Sequence, residues 1–168
     1  MPRFLVPAAF LLVLAAMIGL TRDQPGFTTV YVVRHAETEQ TGDNPPLTET
    51  GRERARTLAS ILRSVELDAI YSTEFRRTFM TATPTVDSYE MPLGTYEPKE
   101  TDELARSITD RFNGKTVLVV GHSNTVPMII ASLGAGTVDE IAHDEHDNLY
   151  VVTITASGSV GLQRLRIP

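Results

Sequence analysis

Two histidines in this chain each end a run of β-branched residues: TTVYVVRHAET puts His35 after one run, and KTVLVVGHSNT puts His122 after another. Arg34 stands beside the first histidine, and Arg77 follows the short apolar stretch LDAIYS within EFRRTFMTA. Together these four residue types describe a phosphate chemistry. Arginine carries a planar fork that meets phosphate oxygens in pairs, and a helix N-terminus adds backbone N–H donors. An imidazole titrates near pH 6.5, and neighbouring arginines lower that value by like-charge repulsion, which keeps a nucleophilic lone pair at neutral pH. A second imidazole can stabilise charge gathering on transferred phosphoryl oxygens.

For that chemistry the four must meet, and the pattern of elements decides whether they do. TTVYVVR reads as a strand covered on both faces. After the turn chemistry of GDNPPLTETG a helix begins at Thr48 or Thr50, with Thr50 and Glu53 at capping-box spacing and an apolar face of Ala55, Leu58, Ala59, Leu62 and Val65. LDAIYS is a strand and EFRRTFMTA a helix with Phe75, Phe79 and Ala82 turned inward. PLGTYEP is a weak strand, followed by a helix over TDELARSITDRFNG with Leu104, Ile108 and Phe112 on one stripe. KTVLVVGH is a buried strand, SNTVPMIIASLG a helix with Pro127 in its first turn, and LYVVTIT and SVGLQRLRI form a hairpin. The alternation predicts an α/β three-layer sandwich with a mainly parallel central sheet, closed by an antiparallel pair. Ligands of such sheets bind beyond the carboxyl ends of the strands, so Arg34, His35, Arg77 and His122 share one mouth.

The ordered motifs RHAET, PLTETG, YSTEFRRT and GHSNT resemble the histidine phosphatase superfamily, the phosphoglycerate mutase-like proteins, in a short bacterial exported form. The resemblance runs from about Val30 to the end. It implies a phosphomonoester hydrolase, independent of metal and cofactor, in which His35 becomes phosphohistidine, Arg34 and Arg77 bind the phosphoryl group, and His122 completes the pocket. It also implies an acid that protonates the leaving group. Glu97, at the end of PLGTYEP, is the best match; Glu37, water or the substrate are the alternatives. Relatives often carry Gly and Asn where this chain has Ala36 and Thr41, which removes one phosphate contact. The long insertions of larger relatives are absent, so an open pocket is expected, suited to a phosphorylated small molecule or a phosphoprotein.

Other readings use the same residues. Strand, G-x-S-x, then helix is also the shape of a hydrolase nucleophile elbow, with Ser123 attacking and Asp139 and His143 or His146 following. Thr125, however, stands where that elbow wants Gly. A phosphate- or phosphopeptide-binding module without turnover is a third reading. His143 and His146 in HDEHD lack the helical spacing of a metal site and read as a solvated loop, Arg76 reads as a surface residue, and Glu49 and Arg52 as helix-start electrostatics.

Composition narrows the partners. A formal charge of −6 leaves no basic field for nucleic acid, and the absence of Cys excludes disulfides, thiolate ligands and a thiol nucleophile. With 168 residues, 42% of them hydrophobic, the chain has enough material for one core, assigned to 28–168. Residues 1–22, basic at Arg3 and apolar from Phe4 to Leu20, read as a signal peptide or an N-terminal membrane anchor, which implies an extracytoplasmic location. No motif speaks to oligomeric state.

Overall fold

The computed structural model describes residues 26–168, so the segment read as signal or anchor lies outside the described residues. Strands β1 (Thr28–Arg34), β2 (Ala69–Ser72), β3 (Leu93–Thr95), β4 (Thr116–Gly121), β5 (Asn148–Ile154) and β6 (Val160–Arg166) form one sheet in the order β3-β2-β4-β1-β5-β6. The β1–β4, β2–β4 and β2–β3 pairs are parallel, whereas β5 runs antiparallel to β1 and to β6. The central strands are β-branched because both of their faces are covered.

Along β4 the side chains alternate between two cores. Val117 and Val119 join Val30 and Val32 against helices α3 (Thr101–Arg111) and α4 (Thr125–Ser132), through Leu104, Ile108, Ile129 and Ile130. Leu118 and Val120 join Val33 on the other face, against Leu58 and Leu62 of α1 (Glu49–Leu62) and Ala82 of α2 (Arg76–Tyr89). The result is the expected three layers, with two helices on each face of a mainly parallel sheet. Among the described residues no helix is long and apolar enough to cross a membrane.

Two local expectations are corrected. The cap of α1 is Thr48, whose hydroxyl accepts the Gly51 N–H at 3.0 Å, and the Thr50–Glu53 capping box does not form. The Thr48 N–H is already bound to the Glu37 carbonyl at 2.9 Å, which fixes the start of the helix two residues earlier. In α2 the buried stripe is Thr78, Thr81, Ala82 and Thr85, while Phe79 is 52% exposed. The inward face of this helix is largely hydroxylated, so an apolar pattern misplaces its phase.

Gly51 explains the glycine of PLTETG. It lies buried in the first turn of α1, and a Cβ there would meet the Glu37 carbonyl oxygen at 2.3 Å. At an exposed helical site, Gly→Ala gains about 1 kcal/mol of propensity. Here the backbone of the loop after His35 must move, so Gly51→Ala is expected to lose roughly 1–3 kcal/mol by overpacking. Urea denaturation checks the sign, and a stabilised variant would show that helix and loop are not in this contact.

Candidate active site

His35 follows β1 and is buried, with 7% of its surface exposed. Its backbone N–H donates to the Gly121 carbonyl at 2.9 Å, tying the end of β1 to the end of β4. Its ring Nδ1 lies 2.8 Å from the Ala36 carbonyl. A carbonyl only accepts, so Nδ1 carries the proton and Nε2 keeps the lone pair. The loop is held from α2 as well: the Ala36 N–H donates to the Thr81 hydroxyl at 3.0 Å, and that hydroxyl donates to the Arg77 carbonyl at 2.7 Å.

His122 comes to the same place from β4, its ring centroid 5.6 Å from that of His35. The GHSNT motif has a local physical reason. The His122 N–H donates to the Thr125 hydroxyl at 2.8 Å, and a Cβ on Gly121 would lie only 2.8 Å from that hydroxyl oxygen. The His122 Nε2 is 3.0 Å from the Thr73 hydroxyl, which is 2.7 Å from the Thr78 hydroxyl; Thr78 donates onward to the Thr73 and Phe75 carbonyls. Because the chain ends on carbonyls, it runs as a donor chain from His122 Nε2–H through Thr73 and Thr78.

Arg34 is nearly buried, and its Nη1 donates to the Ala142 carbonyl at 2.6 Å and the Glu145 carbonyl at 3.1 Å. Its Nε is buried without a partner. Arg77 stacks 4.4 Å over the Phe75 ring, which meets His122 edge-on with centroids 5.3 Å apart. Arg34, His35 and Arg77 line one cavity of about 490 Å³, together with Glu37, His143 and His146. Arg76 is exposed and points its backbone N–H at Asn44 Oδ1, 2.8 Å away.

Burial is the largest influence on both buried rings. It takes His35 to about 3 against the opposing pull of the Ala36 carbonyl, and His122 to about 4, while Arg34 and Arg77 add like-charge repulsion in each case. Sequence reasoning credited the arginines; desolvation comes first. Arg34 itself lies below its ordinary value through burial and then through Arg77.

Not every candidate joins this group. Glu97 is exposed and lines a separate cavity of about 280 Å³ with Glu74, Phe75, Tyr96 and Pro98, so Phe75 stands between it and His122. Glu37 is at the His35 cavity but forms an ion pair with Arg54 at 2.6 Å. Burial alone would raise its carboxyl, yet the Arg54 hydrogen bonds and charge outweigh burial and hold it below the usual carboxylate range. His146 was read as solvated loop, and that is corrected: it is half-buried, and its Nδ1 lies 2.9 Å from the His35 carbonyl. Thr73, Thr78, Phe75 and Arg54 also escaped sequence reasoning, because no spacing rule marks a hydroxyl or an ion pair that supports a site from behind.

The serine reading loses its geometry. Among the described non-glycine residues only Glu90 has positive φ, so Ser123 lacks the strained backbone of a nucleophile elbow, and Asp139 lines a different cavity from His143. Among the described residues no group of three or more His, Asp or Glu side chains is placed to hold a metal ion.

Comparison with known proteins agrees with this arrangement. The sequence model of the histidine phosphatase superfamily (branch 1) matches residues 30–98, the stretch that contains His35, Arg77 and Glu97. Over this stretch the chain is similar to the histidine phosphatase superfamily. Its fold is that of the protein histidine phosphatase SixA complexed with tungstate, at TM-score 0.69 and 20% identity over 82% of this chain and 96% of that one. YhfR of Bacillus stearothermophilus matches at TM-score 0.66 and 22% identity, over 80% and 95%. A putative alpha-ribazole-5'-P phosphatase of Escherichia coli matches at 0.68 and 15%, over 83% and 96%. No curated protein sequence matches the chain.

The two buried rings make a pH prediction. An unfolded histidine binds its proton near pH 6.5, whereas folded His35 and His122 do so only near 3 and 4. Their contribution to stability is therefore complete above about pH 6.5 and is lost as pH falls toward 4 and 3. In ring NMR titrations without phosphate, both should remain neutral at about pH 5; a midpoint near 6.5 for either would contradict the desolvation argument.

Proposed function

We propose that the chain is a metal-independent phosphomonoester hydrolase acting through a phosphohistidine on His35. The observation that carries this reading is the tautomer: the Ala36 carbonyl takes the Nδ1 proton, leaving the Nε2 lone pair at a cavity lined by Arg34 and Arg77. The buried, unpartnered Arg34 Nε supports it, since a phosphate oxygen would supply the missing acceptor. His35 Nε2 attacks phosphorus and the ester oxygen departs with a proton. Arg34 and Arg77 meet the charge on the transferred group, the role a metal ion fills in metallophosphatases, and His122 completes the pocket. Water then attacks the phosphohistidine, releasing phosphate and neutral His35.

The substrate class in this reading is a small phosphate monoester or a phosphorylated side chain, presented to an open cavity. Two further parts of the proposal are that residues 1–22 direct the domain out of the cytoplasm and that Glu97 protonates the leaving oxygen. A leaving group extending past Phe75 would reach the Glu97 cavity, whereas Glu37 is held ionised by Arg54.

A panel of phosphate esters, assayed in excess chelator, tests the reading. Turnover should persist without metal, and His35→Ala should remove both turnover and any acid-labile phosphoryl adduct. Binding without turnover across the panel would instead leave a phosphate-binding module.

Glu97 has its own signature, because acid catalysis matters only when the leaving group is poor. Glu97→Gln is expected to lower kcat/KM for an alkyl ester by roughly 10²-fold while sparing a nitrophenyl ester. Equal losses on both esters would assign Glu97 to the shape or charge of the pocket.

A further inference from the structure

Three imidazoles gather at this site, and their hydrogen bonds fix which ring nitrogen each leaves available. His122 commits Nε2 to Thr73, and His35 keeps Nε2 for phosphorus. His146 repeats the His35 device: its Nδ1, 2.9 Å from the His35 carbonyl, must carry the proton, so its Nε2 holds a lone pair. That nitrogen has no hydrogen-bond partner and is not among the buried unpartnered atoms, and His146 lines the cavity that His35 also lines. The His35 and His146 ring centroids are 5.6 Å apart and both residues line the same cavity, so the His146 ring stands beside the imidazole that would carry the phosphoryl group.

Resting on the phosphohistidine reading above, we propose that His146 is the general base for its second step, accepting a proton from the water that attacks phosphorylated His35. As the water oxygen bonds to phosphorus, its proton passes to His146 Nε2, the phosphorus–nitrogen bond breaks, and its electron pair returns to His35. Phosphate leaves, and His146 gives its proton to solvent. Microscopic charge supports a neutral ring here: burial lowers its proton affinity first, Arg34 and Arg54 lower it further, and the His35 carbonyl and Glu37 pull the other way.

The other bases at the cavity are less suited. Glu37 is engaged by Arg54 and held below the usual carboxylate range. Asp144, His143 and Glu39 are exposed on the rim, and no side-chain hydrogen bond fixes where they point. His146 alone among the cavity's described bases combines a fixed tautomer, a half-buried ring and a free nitrogen beside the nucleophile.

His146→Asn separates this role from support of the loop, because an asparagine amide can still donate to the His35 carbonyl from the Nδ1 position. With a nitrophenyl ester, the variant should release the first equivalent of nitrophenol at the parent rate. Its steady-state turnover should fall by about 10²-fold or more, with acid-labile phosphate accumulating on His35. Added imidazole should restore part of the turnover of His146→Ala. Normal turnover in His146→Asn, or equal loss of first release and turnover, would overturn the inference. A parent protein that hydrolyses the ester but never yields labelled His35 on acid-free quench would overturn the reading beneath it instead.

Discussion

The site depends on one register. β1 and β4 are parallel neighbours with Val33 opposite Val120 and Arg34 opposite Gly121, so the residues that follow, His35 and His122, leave the sheet at the same height. The bond from the His35 N–H to the Gly121 carbonyl extends that ladder one step past the strands. A slip of one residue would turn the valines of β1 from one core to the other and separate the two rings, so the hydrophobic alternation that stabilises the sandwich also sets the distance between the catalytic candidates. Packing and chemistry share a constraint, and neither can drift alone.

Within that frame the site concentrates positive charge, Arg34 and Arg77 each repelling protonation of the rings beside them. Two arginines and two buried imidazoles sit together; the Glu37 carboxylate at the cavity is bound to Arg54, and Asp144 and Glu145 offset part of the Arg34 charge. The fold tolerates this in three ways: burial keeps the rings uncharged, backbone carbonyls rather than carboxylates receive the Arg34 Nη1 protons, and a threonine chain receives His122. Carbonyls orient a guanidinium without cancelling its charge. What is left is a fixed positive field with one unpartnered N–H, an arrangement that a dianionic phosphate would relieve and that needs no reorganisation when charge develops.

The sequence was most legible where one physical signal dominates. Continuous β-branched runs located β1 and β4, the βα alternation set the layers, and together these brought His35, His122, Arg34 and Arg77 to one rim. Reading failed where the burying residues are not apolar. The inward stripe of α2 is largely threonine, with the Thr81 hydroxyl holding Ala36 and the Thr78 hydroxyl holding Thr73 behind His122, so an apolar pattern turns Phe79 the wrong way. At the α1 start the spacing leaves Thr48 and Thr50 both open, and a tertiary bond from the Thr48 N–H to the Glu37 carbonyl decides for Thr48 over the Thr50 capping box.

His146 shows a different limit. Taken as a string, HDEHD is a polar loop, and that was the reading; taken with the topology it has a definite place. β5 runs antiparallel to β1 with Leu149 opposite Val33, so the residues just before β5 must arrive beside the residues just after β1. The loop is then fastened at three points beside the end of β1: Arg34 donates to the Ala142 and Glu145 carbonyls, and the His35 carbonyl accepts from His146. In a short chain without long insertions, this loop is what walls the cavity opposite the parallel strands. The antiparallel strand that closes the sheet therefore does more than cover an edge: its direction delivers a titratable side chain to His35, which a further parallel strand beside β1 would have delivered to the opposite end of the sheet.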